Sequence, residues 1–104
     1  MTQRKRAARR AADRVQEKLA RDLVKLAEAS PGGSPARPIV VSSPSEVEVH
    51  AEGMPCAICR SRVRVDEHAA VTIAGVRLRV ARVVCSFCHA RRDVYFQLAG
   101  AMLS

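Results

Sequence analysis

Two cysteine pairs with the same internal spacing, Cys56-Ala57-Ile58-Cys59 and Cys85-Ser86-Phe87-Cys88, constrain this chain more than any other feature. Two residues between cysteines let both thiolates reach one ion from a tight turn. Two such turns supply four sulfurs, the donor set of a tetrahedral Zn²⁺ site with Zn–S distances of about 2.3 Å. The pairs are twenty-five residues apart. That gap is longer than the common template, but it is what two strands and a turn need to bring the second pair back beside the first.

The residues around the pairs alternate with the period of a half-buried strand. Glu46-Val47-Glu48-Val49-His50 alternates, as do Arg62-Val63-Arg64-Val65-Asp66 and Val76-Arg77-Leu78-Arg79-Val80. Strand character runs on to Val84 past a break near Ala81-Arg82, read as a bulge. Asp93-Val94-Tyr95-Phe96-Gln97-Leu98 is the last run. This predicts four short antiparallel strands, with one cysteine pair between the first and second and the other between the third and fourth. Gly75 turns the chain between the halves.

Over residues 46–104 the chain thereby resembles the zinc-ribbon class, in which two CxxC knuckles sit at the tips of β-hairpins around a structural metal. The resemblance carries Cys56, Cys59, Cys85 and Cys88 over as ligands of one structural zinc. It departs where many such knuckles carry glycine after the second cysteine: Arg60 and His89 stand there instead. The class implies a fold and a metal and little about activity. The energetics agree. Aromatic content is 3% with no Trp, so a small β domain buries limited area. Structural zinc contributes on the order of 10–16 kcal/mol in finger peptides.

Other readings of the cysteines are weaker. Cys85-Ser86-Phe87-Cys88-His89 matches the CxxCH haem-attachment pattern, but it leaves Cys56 and Cys59 unexplained. A thioredoxin-like pair lacks its βαβ context. An iron–sulfur or rubredoxin-like iron site uses the same four thiolates. A redox-sensitive zinc switch, which releases its metal on oxidation, uses the same four thiolates.

Ahead of this region, residues 1–30 are read as a basic amphipathic helix. Ala8, Ala11, Ala12, Val15, Leu19, Leu23 and Leu26 share a stripe, interrupted by Asp22, while Arg10, Arg14, Lys18, Arg21 and Lys25 line the other side. Pro31-Gly32-Gly33 stops it. Residues 31–45, rich in Pro, Gly and Ser, are read as a linker with no assigned element.

The formal charge is +8 and it is uneven. Residues 1–30 carry nine Lys/Arg against four Asp/Glu, and residues 54–104 carry eight against three. Such clustering favours nucleic acid or an acidic protein surface. Candidate contacts are the five helix cations named above, together with Arg62, Arg64, Arg77, Arg79 and Tyr95, expected on one solvent face of the sheet. Glu46 and Glu48 are expected opposite Arg62 and Arg64, where they would neutralise part of that face. A homodimer or adaptor contact through the helix stripe is the alternative partner. No Ser/His/Asp set, paired-carboxylate site or phosphate-cradling loop is visible, so a non-catalytic module is expected. No run approaches a membrane span, and no apolar segment follows the basic N-terminus as in a secretory signal. A cytoplasmic, reducing setting is the expectation, in which paired cysteines read as metal ligands.

Overall fold

The computed structural model describes residues 2–102; Met1 and the last two residues of the expected 46–104 domain lie outside the described residues. Helix α1 runs Thr2–Ala29, and Ala, Leu, Arg, Lys and Glu dominate its sequence, all strong helix formers. At 28 residues it is about 42 Å long. It stops as expected. The Ser30 hydroxyl donates to the Leu26 carbonyl at 2.8 Å, and Arg37 donates to the Ala29 carbonyl. Gly33 is required here, because a Cβ would lie 2.0 Å from the Ala27 carbonyl oxygen. Gly32, at φ 83°, accepts a hydrogen bond from the Tyr95 amide at 2.8 Å. That bond fixes the turn after α1 to a sheet strand.

The strands are β1 (Ile39–Val41), β2 (Val63–Ile73), β3 (Val76–Cys85) and β4 (Arg91–Leu98), in the order β1-β4-β3-β2. β2, β3 and β4 are antiparallel neighbours, whereas β1 pairs with β4 in parallel. The sheet is therefore open and mixed. The segment Ile39-Val40-Val41, expected to carry no element, is its fourth strand. Ala74 and Gly75 join β2 to β3 with positive φ at both positions, the geometry of a two-residue primed turn that follows strand twist.

The expected first strand over Glu46–His50 is a helix instead, α2 (Ser45–Glu52). Ser43-Pro44-Ser45-Glu46 is a helix-start pattern of the S-x-x-E kind with proline in the first turn. The Glu46 carboxylate accepts from the amides of Ser42 and Ser43 at 2.6 and 2.8 Å. Helical spacing buries Val47 and Ala51 together and leaves Val49 75% exposed, where a strand would have turned Val47 and Val49 to one face. The first cysteine pair thus lies between α2 and β2. Val47 and Ala51 pack on Val41, Ala81, Val83, Val94 and Phe96, and this is the core. Val94 and Phe96 face inward, on the side of the sheet opposite Tyr95. Among the described side chains of α1 only Ala20, Leu23 and Ala27, all in its second half, are half-buried, and the molecule measures 67 × 25 × 16 Å. Among the described residues no helix is long and apolar enough to cross a membrane.

Candidate metal centre

Each cysteine pair sits on a knuckle built by the same backbone bonds. In the first, the Cys56 amide donates to the Ser61 carbonyl at 2.9 Å and the Arg60 amide to the Cys56 carbonyl at 3.0 Å. In the second, the Cys85 amide donates to Ala90 at 2.9 Å and the His89 amide to Cys85 at 3.2 Å. The chain must then turn through the left-handed region, and Arg60 (φ 66°) and His89 (φ 63°) do so. The missing glycines leave the knuckle intact. Amides also point at sulfur: Ile58 donates to Cys56 Sγ at 3.4 Å, and Phe87 to Cys85 Sγ at 3.3 Å. The Ser86 amide reaches the Arg62 carbonyl at 3.0 Å and ties the two knuckles together.

All four sulfurs lie within 4.8 Å of one another. Across the knuckles, Cys56 Sγ is 3.6 Å from Cys88 Sγ and Cys59 Sγ is 3.4 Å from Cys85 Sγ. A tetrahedral four-sulfur site with ligand bonds of about 2.3 Å has sulfurs about 3.8 Å apart. The donor set therefore fits one metal ion. Electrostatics point the same way. The Ser61 hydroxyl and then its backbone amide pull the Cys59 thiol down to about 6. The Ala90 amide favours a Cys88 thiolate, but partial desolvation by the adjoining groups and the three neighbouring sulfurs push that thiol, itself exposed, up to about 12. Four thiols this close cannot all ionise unless a cation lies among them. Arg92 adds a charge nearby: burial lowers its pKa while the Cys56 sulfur raises it.

Comparison with protein-family models, curated proteins and solved structures finds no match. The site itself carries the assignment: four cysteines are positioned to hold a metal ion.

The expected arginine face is divided. In the register, Val65 lies opposite Val83 and Arg64 opposite Val84. Opposed residues share a face of the sheet, so Arg77 and Arg79 lie on the α2 side with Ala81 and Val83. Arg64 and Tyr95 lie on the other. The break expected in β3 at Ala81-Arg82 falls in β2, between Val65 and Glu67. With no extra residue in β3, its alternation runs unbroken and separates Arg77 and Arg79 from Arg64. Glu46 and Glu48 do not face Arg62 and Arg64: Glu46 holds the start of α2, and Glu48 approaches His68 Nδ1 at 3.8 Å. Arg64 is instead 3.3 Å from Asp66, which is 2.9 Å from Arg91. These three side chains reach across Val84. Arg82 is taken up by Glu67 at 2.9 Å and Asp93 at 3.8 Å. On α1, Arg10, Arg14, Lys18, Arg21 and Lys25 are exposed, with Lys18 3.8 Å from Asp22.

Two features were not anticipated. Ser61, whose hydroxyl and amide favour a Cys59 thiolate, has no signature in the cysteine spacing. A cleft of about 360 Å³ opens beside the first knuckle, lined by Val24, Ala27, Pro35, Ile58, Arg92 and Tyr95 among others.

Proposed function

We propose that this chain is a non-catalytic zinc-binding module that contacts nucleic acid, with the N-terminal half of α1 as its principal arm. The carrying observation is the charge on that half. Arg4, Lys5, Arg6, Arg9 and Arg10 stand exposed with no acid before Asp13, on a helix held only at its far end. Cations presented this way suit a phosphate backbone, where displaced counterions drive binding. Zinc is the metal that best suits four thiolates on a small β-rich scaffold, and the knuckles share the left-handed turn of zinc-ribbon proteins. Since Arg64 is engaged by Asp66 and the sheet arginines are split, the helix rather than the sheet is the main contact.

The test is a gel shift on the zinc-loaded chain at rising salt. Binding is expected near 50 mM salt and should weaken steeply toward 200 mM, and replacing Arg9 and Arg10 by Ala should flatten the log–log slope by about 0.9 per arginine on duplex DNA. Absence of any shift at the lowest salt would sink the reading. A second reading has its own observation: Val15, Leu19 and Leu26 are 67%, 57% and 65% exposed along one stripe of α1. This supports an adaptor role in which the stripe meets a second helix, from another copy or another protein.

A further inference from the structure

The two knuckles share the backbone bonds that close their turns, yet they treat their third residue in opposite ways. Ile58 is half-buried and lines the cleft. Phe87, its counterpart, is 75% exposed. The knuckle fold therefore does not force the ring outward. The chain has one Tyr and two Phe; Phe96 is fully buried in the core and Tyr95 is half-buried on the sheet. Phe87 is the freely presented aromatic ring.

Its surroundings discriminate between partners. A protein-binding hot spot sits in a well-packed, fully desolvated patch, ringed by contacts that exclude water. Phe87 has polar neighbours instead: Ser86, Cys88 and His89 are all exposed. The bond from the Ser86 amide to the Arg62 carbonyl lays the segment carrying Arg60 and Arg62 alongside. Both arginines are exposed, and among the described residues neither has a carboxylate within ion-pair distance. An exposed ring beside a chain segment that carries two arginines without carboxylate partners offers the two elements a single strand uses, a surface for a base and cations for its phosphates. Bases inside a duplex are already stacked, and reaching them requires unstacking.

We propose that Phe87 is a stacking platform for an unpaired base of single-stranded nucleic acid, with Arg60 and Arg62 taking the adjacent phosphates. This rests on the nucleic-acid reading above and adds a second contact surface to it, distinct from the helix.

The experiment uses the full zinc-loaded chain at low salt and fluorescence anisotropy. One probe is a labelled single strand of about 12 nucleotides, within the reach of one small binding domain; the other is a blunt duplex. Phe87→Ala should weaken single-strand binding about 5- to 150-fold and leave duplex binding within about twofold, while Phe87→Trp should retain single-strand binding. Equal losses on both probes, or no loss on either, would overturn the proposal, as would a Phe87→Ala chain that no longer holds its metal. A parent chain that binds duplex alone overturns this site and leaves the helix reading standing. A parent that binds neither probe removes both.

Discussion

Arg60 and His89 hold backbone conformations in which a side chain is strained. A non-glycine residue in the left-handed region costs on the order of 1 kcal/mol, and the knuckle needs that turn because the next carbonyl must face back to Cys56 or Cys85. Histidine tolerates the region better than most residues. Arg60→Gly and His89→Gly should each stabilise the metal-loaded chain by about 0.5–1 kcal/mol, read as a rise in thermal midpoint, with Arg60→Gly gaining at least as much. An unchanged or lower midpoint would show that the arginine or imidazole makes a compensating contact. At this scale the sequence was informative about identity. The 56/59 and 85/88 spacing named all four sulfurs, and the places after the second cysteines marked where φ turns positive. Ser61 was not legible, because a hydroxyl two residues past Cys59 has no spacing rule that aims it at a sulfur.

The elements read less evenly. The period-two pattern located β2, β3 and β4, whose alternation is imposed by a sheet with distinct faces. It misread residues 46–50, since a run of five residues is too short to separate period two from the four-residue spacing of Val47 and Ala51, which is what the helix buries. There the deciding signal was Ser43-Pro44-Ser45-Glu46, whose carboxylate satisfies two amides ahead of α2. Register was not legible either. One extra residue in β2 rather than β3 moves Arg77 and Arg79 to the opposite face from Arg64. At the same irregularity Asp66 meets Arg91, whose hydrogen bond and charge hold its carboxyl below the ordinary value, with Arg64 adding a smaller effect. The folded pKa is depressed, so the pair contributes stability above the unfolded carboxylate pKa of about 3.9. That contribution disappears as pH falls through the lower folded value. Asp66→Asn should therefore lower the unfolding midpoint at neutral pH, and the two chains should converge below about pH 4. Thiolate protonation releases metal over the same descent, so parent and variant are compared at each pH. A gap that persists in strong acid would assign the effect to something other than this ion pair.

For the molecule as a whole, the sheet and the helix are expected to depend to different degrees on a metal held by the four cysteines. The core is one small helix on three long strands and one short one, and the knuckles close its end through Cys56 and Cys85, both buried. Removing the metal leaves a crowded set of thiols at that end. A chelator should abolish the cooperative thermal transition of the sheet, while much of the α1 signal in circular dichroism survives, since a 28-residue helix rich in Ala, Leu and charged helix formers exceeds the length at which isolated helices are marginal. A sheet transition unchanged by chelation would show that apolar packing alone sustains the domain. One metal ion per chain in protein purified without added metal is the matching expectation.

The projecting helix also governs how this molecule moves through solvent. Its radius of gyration is 17.4 Å, against about 13 Å for a compact chain of about 100 residues. Friction follows length, so an 11.3 kDa chain of this shape will leave a sizing column early and tumble slowly about its short axes. Elution volume would then count one chain as two. Whether a second copy occupies the stripe at Val15, Leu19 and Leu26 must be decided by absolute mass from scattered light.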